Sequence, residues 1–358
     1  MKLRYIFITP FLFFGCGGLP PEDGFIDVDS LHTISNFPIG AALRFLPFRN
    51  DPALQRLQKH HFDSYTAGND MKMYSIMPEE GVYDFSLIDA ILAYTQENDQ
   101  RLFGHNLIWH SSTPNWVKKK AQKDPEWLSD FMKRYIYTYV GRYRGAVHGW
   151  DVVNEGLRTK GGGYREDSIW YEVLGSRYIE QAFHYAHEAD PEAVLFYNDF
   201  NTERDLEKFN FMIDMVEDFI KRGVPISGIG FQMHIRMDIP NEVIASTLQR
   251  AADTGLQIHL SEVDIIFNHH DDTRGGGVQK LKTLTPKMEQ AQAQKYYELA
   301  LMYQNLIPAD QQYGITLWGF NDRDTWIRPF FGIQDWPTIY DERLQPKPAL
   351  YGFLKGLR

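Results

Sequence analysis

Short apolar runs alternate with longer amphipathic segments along most of this chain, and this alternation restricts its fold more than any other feature. No internal repeat or low-complexity segment interrupts the series. Strands that alternate regularly with helices predict a parallel sheet, and eight such units are the number that closes a (β/α)₈ barrel. The predicted strands are 38–42, 64–67, 102–109, 147–153, 194–197, 228–233, 258–263 and 314–320, and the predicted helices are 87–97, 127–142, 176–189, 206–222, 240–254 and 286–306.

An open, doubly wound α/β sheet is the main alternative for this pattern. That fold commonly carries a glycine-rich phosphate-binding turn after its first strand, and no such turn follows residues 38–42. A chain of 358 residues with 43% hydrophobic content is long enough to build one large barrel core. We therefore predict an α/β protein with a single (β/α)₈ TIM barrel over residues 30–358.

Polar or aromatic residues follow nearly every predicted strand. Because the carboxyl ends of barrel strands meet at one mouth, we expect these side chains to converge there. The strand-end residues are Asn69, 105–110, Asn154 with Glu155, Asn198 with Asp199, 232–234, 262–264 and 318–321. Asn198, Asp199 and Asn201, after the fifth strand, are candidate contacts for a leaving group.

Two of these strands end in a carboxylate, at Glu155 and Glu262. Either residue alone is better explained by a structural ion pair, but a pair across the mouth can hydrolyse an acetal such as a glycosidic bond. His234 and Asp264 would keep Glu262 ionised as a nucleophile. Glu155 follows an apolar strand and the amide of Asn154, so desolvation would favour its protonated form and a role as the acid.

The composition excludes some partners and cofactors. The net charge of -10, from 37 basic and 47 acidic residues, argues against a nucleic-acid partner. The aromatic content of 15% supplies either core or stacking surfaces for sugar rings.

The run His-His-Asp-Asp at 269–272 lies in a glycine-rich stretch and is interpreted as a solvated loop. No metal-binding spacing occurs, so we expect neither a metal nor another cofactor.

The amino-terminal residues have the features of an export signal. Lys2 and Arg4 precede an apolar run at 6–14 that is too short to span a membrane, and Gly15 precedes Cys16, the one cysteine. This resembles a bacterial lipoprotein signal at 1–15, followed by a lipidated Cys16 and a flexible tether at 16–29. A secretory signal with an incidental cysteine is the alternative. We expect an exported outer-membrane lipoprotein, attached to the membrane only through this anchor.

Several motifs occur in order along the barrel. They are Gly-His-Asn-Leu-Ile-Trp-His at 104–110, Trp-Asp-Val-Val-Asn-Glu at 150–155, Gln-Met-His at 232–234, Ser-Glu-Val-Asp at 261–264, and Leu-Trp-Gly-Phe at 317–320 followed by Trp326. From about residue 31 to the carboxyl terminus, the chain resembles the glycoside hydrolase family 10 endo-β-1,4-xylanases. Asn106 and Ser261 stand where that family usually has threonine.

The resemblance implies a retaining endo-xylanase that acts on xylan without a cofactor. It assigns Glu155 as acid/base, Glu262 as nucleophile, Asn154 as a partner of the sugar 2-hydroxyl, and His234 as a link between Glu262 and Asp264. It also implies a set of substrate-binding residues, comprising Asn69, Lys72, His105, Trp109, Gln232, Trp318 and Trp326. We expect the protein to act as a monomer.

Two positions depart from the family pattern. Gly68 stands where the family usually has glutamate, and Ser112 stands where it usually has glutamine. Both missing side chains normally bind the sugar one unit further from the cleavage point. We expect this distal subsite to bind bare xylose more weakly, or to admit a substituted xylose. Drift that a neighbouring loop compensates is the alternative.

Two other functions remain open at this stage. An endo-β-1,4-glucanase would use the same mechanism, and the space at Gly68 and Ser112 weakens the exclusion of glucose. A surface glycan-binding lipoprotein with little catalysis would keep the cleft, although intact Glu155 and Glu262 argue against it.

Overall fold

The computed structural model describes residues 28–358, and within them the chain forms a closed barrel of eight parallel strands. The predicted signal, Cys16 and nearly all of the predicted tether lie outside the described residues. The strands are β1 Ile39–Leu43, β2 Ser64–Ala67, β3 Arg101–Trp109, β4 Val147–Asn154, β5 Val194–Asp199, β6 Gly228–Phe231, β7 Gln257–Ile266 and β8 Gln312–Leu317. Every predicted strand overlaps one of them, and the predicted TIM barrel is confirmed.

Pairing between the first and last strands closes the barrel. Gly40 of β1 lies opposite Thr316 of β8, and β8 pairs in parallel with β7 on its other side. A short extra strand, His234–Arg236, pairs with the end of β7 beyond β6. The strands are almost entirely buried because the barrel interior covers one face and the helices cover the other.

Fourteen helices lie in the described part of the chain, and they include all six of the predicted ones. They are α1 Leu31–Ile34, α2 Phe45–Arg49, α3 Pro52–His61, α4 Met73–Ile76, α5 Ser86–Glu97, α6 Asn115–Lys123, α7 Pro125–Arg142, α8 Ile169–Leu174, α9 Arg177–Ala189, α10 Leu206–Arg222, α11 Asn241–Ala252, α12 Pro286–Leu306, α13 Ile327–Phe331 and α14 Pro348–Leu357. None of the helices that the structure describes is long and apolar enough to cross a membrane.

Aromatic rings fill the amino-terminal end of the barrel interior. Phe103, Phe196 and Tyr313 pack edge to face, with ring centroids 4.6–5.7 Å apart, and the buried ring of His259 packs among them. Edge-to-face packing of this kind stabilises a core beyond the area that it buries. His259 is a polar group at this end, and its Nε2 lies 2.9 Å from the Thr316 hydroxyl.

The prediction of a solvated loop at 269–272 is right for Asp271, which is exposed, and for His269, whose side chain is 43% exposed, but it is wrong for His270 and Asp272. Residues 269–270 pair antiparallel with 277–278, and the side chains of His270 and Asp272 are only 4% and 6% exposed. His270 stacks on Phe331 with centroids 4.1 Å apart, and Asp272 accepts hydrogen bonds from Arg204. These long-range contacts explain why the local glycine content misled the prediction. No cluster of potential metal ligands occurs in residues 28–358.

Candidate active site

The carboxyl end of β4 delivers Asn154 and Glu155 to the barrel mouth. Asn154 is buried, whereas Glu155 is partly exposed and has a φ of 55°, so the chain turns out of the strand at this residue. The Glu155 backbone N–H donates to the carbonyl of Asn198 at 2.9 Å, and Arg165 donates to the Glu155 carbonyl at 3.0 Å. These bonds hold the turn in place while its carboxylate faces the mouth.

Glu262 lies within β7 and is only 4% exposed. Its carboxylate lies 3.4 Å from Nε2 of His234 and 3.9 Å from Nδ1 of His105, and it accepts a hydrogen bond of 3.0 Å from the Asn198 amide. Burial by itself raises the pKa of Glu262, but His105, His234 and Lys72 outweigh burial and lower it. Glu262 is therefore an ionised carboxylate, which is the form that a nucleophile requires.

Two side-chain amides connect Glu262 to the end of β4. Asn198 donates to both Glu262 and Oδ1 of Asn154, at 3.0 and 2.9 Å. Gln232 donates to Oδ1 of Asn154 and to Glu155, both at 3.2 Å. The Ser261 hydroxyl donates to Oδ1 of Asn198 at 2.7 Å, which directs the Asn198 NH₂ group toward the carboxylates. The two predicted catalytic carboxylates therefore belong to one hydrogen-bonded network.

His234 lies between Glu262 and Asp264. Its Nδ1 is 3.1 Å from Asp264, whose other oxygen accepts a hydrogen bond of 2.7 Å from the Trp326 indole. Burial lowers the pKa of His234, but Asp264 and Glu262 together raise it to about 10. His234 is thus a cation at neutral pH that stabilises the charge on Glu262.

A second carboxylate–histidine pair lies beneath this network. Nδ1 of His105 is 2.8 Å from Asp151, the one charged residue of β4. Burial raises the pKa of Asp151 to about 6, against the opposing effect of His105. Asp151 belongs to the motif at 150–155, but no role for it was predicted from the sequence. Its fixed position beside His105 identifies it as a residue that orients the ring.

The remaining predicted sugar-binding residues lie on the side of β2, β3 and β8. Lys72 donates to Oδ1 of Asn69 at 2.9 Å, and its Nζ lies 4.7 Å from the ring centroid of Trp109 and 5.6 Å from that of Trp318. Burial lowers the pKa of Lys72 to about 8, while Glu262 and Glu155 act in the opposite direction. Half-buried indole rings beside a cation provide flat faces and a donor, which suits a sugar ring. The other predicted ring, Trp326, packs against His234 at 4.7 Å.

The two departures from the family pattern differ in their surroundings. A Cβ added at Gly68 would meet only the backbone of Leu43, at 3.6 Å, which is ordinary van der Waals contact. Ser112 is fully buried, and its hydroxyl donates to the Trp109 carbonyl at 3.1 Å. Gly68 therefore leaves room for a side chain, whereas Ser112 is part of the loop that holds Trp109.

The interpretation of Asp199 as a contact for the leaving group is wrong. Its side chain is fully buried and accepts hydrogen bonds from Lys208 at 2.7 Å and from the Tyr197 hydroxyl at 2.6 Å. The Lys208 bond joins helix α10 to β5 and the Tyr197 bond lies within β5, and together they leave the carboxylate out of reach of a substrate. Asn198 has a larger part than predicted, because its amide connects Asn154 to Glu262.

This arrangement suits hydrolysis of an acetal. An ionised, buried carboxylate can attack the carbon, and a partly exposed carboxyl group bonded to amides can protonate the departing oxygen. The site contains a histidine cation and a lysine close to the nucleophile, but no cluster of metal ligands occurs among the described residues.

Comparisons with known proteins agree with this chemistry. Residues 30–355 match the model of glycosyl hydrolase family 10. The chain is 36% identical over 324 residues to an endo-1,4-β-xylanase of Geobacillus stearothermophilus, and the alignment covers 88% of this chain and 94% of that protein. It is also 36% identical to the endo-β-1,4-xylanase Xyn10C of Cellvibrio japonicus over 92% of this chain, but it spans only 58% of that protein.

Solved structures give the same result. A family 10 structure from Paenibacillus barcinonensis matches with a TM-score of 0.85 and 35% identity, over 92% of this chain and 97% of that one. A xylanase 10C variant of Cellvibrio japonicus in complex with xylopentaose matches equally well by TM-score, 0.85, over 92% of this chain and 69% of that one. With its barrel, its paired carboxylates and a family match over nearly all its described length, the chain belongs to glycosyl hydrolase family 10.

Proposed function

We propose that this protein is a retaining endo-β-1,4-xylanase that hydrolyses internal bonds of xylan. The observation that carries the proposal is the network that joins Glu155 to an ionised Glu262 through Asn154, Asn198 and Gln232. The match to an endo-1,4-β-xylanase over nearly its whole length supports the substrate class. All of these residues come from one chain, so a monomer is sufficient for the reaction.

In the proposed first step, a Glu262 oxygen attacks the anomeric carbon and forms an ester bond to the sugar. The bond from that carbon to the departing oxygen breaks, and Glu155 gives its proton to this oxygen. In the second step Glu155 takes a proton from water while the water oxygen attacks the anomeric carbon and releases Glu262. Asn154 would bond the 2-hydroxyl of the sugar that is attacked.

Hydrolysis of xylan and of a β-1,4-glucan, followed by proton NMR of the first products, tests this proposal. We expect faster turnover on xylan and an initial product with the β configuration, because two inversions retain the stereochemistry. Faster turnover on the glucan would favour the endo-glucanase alternative. Binding of both polymers without any new reducing ends would favour a glycan-binding protein instead.

We further propose that the distal subsite beside Gly68 accepts a substituted xylose. Gly68→Glu would place a carboxylate where the structure leaves space. We expect the variant to lower the KM for undecorated xylohexaose by about tenfold, the usual effect of one added charge-assisted hydrogen bond, and to reduce activity on arabinoxylan. No gain on the oligosaccharide and no loss on arabinoxylan would contradict this proposal.

We also propose, from the sequence of the first 29 residues, an exported lipoprotein anchored through Cys16 in the outer membrane. Expression of the full chain and of Cys16→Ser in a bacterial host, with a labelled fatty acid, tests this. We expect label only on the first protein and release of the variant into the soluble fraction. Equal fractionation of the two without label would favour an ordinary secretory signal.

A further inference from the structure

A cavity of about 630 Å³ lies at the barrel mouth, outside the site described above. Its lining comes from the chain after β4, β5 and β6, and includes Lys160, Asn201, Arg204, Leu206, Arg236 and Pro240. The proposed sugar-binding residues Lys72, Trp109 and Trp318 come instead from β2, β3 and β8. Lys160 lies in the loop that follows β4, five residues after Glu155, so the cavity borders the strand end that carries the proposed proton donor to the leaving group.

The polar groups that remain available in this cavity are donors. Arg236 uses only its Nε, which donates to Asp238 at 3.2 Å, and its two terminal nitrogens bond no acceptor among residues 28–358. Lys160 is 68% exposed along its side chain, and its nearest carboxylate oxygen, on Asp272, is 4.0 Å away. Arg204 is held more firmly, by Asp272 at 3.1 Å and by Oδ1 of Asn201 at 2.7 Å.

The neighbouring carboxylates, in contrast, already have partners. Asp205 accepts hydrogen bonds from the backbone N–H groups of Lys208 at 3.1 Å and of Gly161 at 2.8 Å. Asp272 accepts from Asn201 and Arg204, and these bonds tie the 269–278 hairpin to the loop after β5. Only Asp238 keeps a largely exposed carboxylate, and it pairs with Arg236. The cavity therefore offers N–H donors with few free acceptors.

A ligand matched to such a cavity has acceptors and no donors at the point of contact. An ionised carboxylate is the common group of this kind, and a guanidinium can bind it through two parallel bonds. A neutral sugar offers hydroxyl donors as well as acceptors, and the one largely exposed carboxylate of the lining, on Asp238, already accepts from Arg236. Apolar groups of Leu206, Ile239 and Pro240 complete the lining and can pack against a sugar ring.

We propose that this cavity binds the carboxylate of a uronic acid branch on the leaving-group side of the xylan chain. This inference rests on the proposed function, since it extends the substrate class of the same cleft. Arg236 and Lys160 supply the donors. The ion pair of Arg204 with Asp272 fixes the part of the lining between them.

The test uses two forms of one polymer: glucuronoxylan, and the same glucuronoxylan after chemical reduction of its carboxyl groups to alcohols. The proteins are the full chain, Arg236→Met, Lys160→Met and the control Arg250→Met, which removes an exposed charge on α11. The measured quantity is the kcat/KM on the acidic polymer divided by the kcat/KM on the reduced polymer. We expect this ratio to fall about tenfold in Arg236→Met, because a charge-assisted hydrogen bond to the carboxylate is lost. We expect it to fall in Lys160→Met for the same reason. The control should keep the ratio of the unaltered protein.

An unchanged ratio in Arg236→Met would overturn the proposal, and so would equal losses on both polymers, which would indicate a subsite for neutral sugars. If the unaltered protein cleaved neither polymer, the proposed function would fail instead. Calorimetric binding of a xylooligosaccharide with one uronic acid branch, and of its carboxyl-reduced form, would then decide the role of the cavity. Preferential binding of the acidic form, lost in Arg236→Met, would support the proposal, and equal binding would refute it.

Discussion

Glu262 stays ionised although it is buried, because three side chains act together on its charge. Burial raises its pKa, while His105, His234 and Lys72 lower it further than burial raises it. His234 is itself held as a cation by Asp264, so the pair forms a chain of alternating charges from Asp264 to Glu262. A single charge partner would leave the ionisation of Glu262 more sensitive to small movements of that partner.

The pH dependence of activity should report this arrangement. A glutamate with a lowered pKa keeps its charge to lower pH, so the acidic limb of the kcat/KM profile lies at low pH. His234→Asn removes a cation, which raises the pKa of Glu262 and should move that limb to higher pH. His105 and Lys72 remain, so part of the effect should persist. Measurement of kcat/KM across the acidic range checks this, with Arg250→Met as the control, and an unmoved limb would show that His234 does not tune Glu262.

Glu262→Ala tests the proposed nucleophile directly. We expect kcat on xylan to fall by at least about 10⁴-fold, the scale seen when a nucleophile is removed, while binding of xylohexaose is retained. Initial-rate assays and calorimetry measure the two quantities. Unchanged hydrolysis would mean that another group attacks the sugar.

At the scale of elements, the contact between β3 and β4 sets the position of the site. Gly104, next to His105, faces Trp150, and a Cβ at this glycine would lie 2.1 Å from the indole. The close approach places His105 against Asp151 on the neighbouring strand. The large ring of one strand therefore requires the absence of a side chain on the other.

Gly104→Ala should destabilise the barrel by about 1–3 kcal/mol or more, because the added methyl overpacks a rigid core. Gly141→Ala is a matched control, since that glycine lies exposed in α7 with nothing within 4 Å of an added Cβ. The control should gain about 0.5–1 kcal/mol from a better helix former. Denaturant unfolding of both variants measures these changes, and equal effects would contradict the packing argument.

Every helix of 12 residues or more in the described part of the chain was predicted, and none of the shorter helices was. The six predicted helices all have a sustained apolar stripe, whereas α3 is marked mainly by Pro52 and by its cap, Asp51, which accepts from the N–H groups of Ala53 and Leu54. The 269–278 hairpin was missed because its partners, Phe331 and Arg204, are far away in the chain. Local pattern does not encode contacts of this kind.

At the scale of the whole molecule, the last helix joins the layer of helices around the barrel by packing on α12, the longest helix of the described residues. Helix α14 packs closely on α12: a Cβ at Gly352 would lie 2.1 Å from the backbone carbonyl of Ala293. Phe353 is fully buried in this contact, and the adjacent Tyr351 is 49% exposed. The carboxyl-terminal residues are therefore part of the packed helical layer around the barrel.

Phe353→Ala should lower the free energy of unfolding by about 3–5 kcal/mol, because it leaves a cavity in the core. Tyr351→Ala, two residues away on the outer face of the same helix, should change it by no more than about 0.5 kcal/mol. Thermal and denaturant unfolding compare the two variants. A small effect of Phe353→Ala would show that α14 docks without stabilising the barrel.

The sequence by itself determined the eight strands and the polar strand ends that include Glu155 and Glu262, because apolar runs and periodicity are local properties of a chain. The count of eight strand–helix units predicted the closed barrel. The tertiary structure decided how those ends are used. It gave Asn198 a bond to Glu262 across 64 residues, engaged Asp199 with Lys208, and brought the chain after β4, β5 and β6 around one cavity. These contacts depend on the register in which distant strands meet, and that register exists only once the barrel has closed.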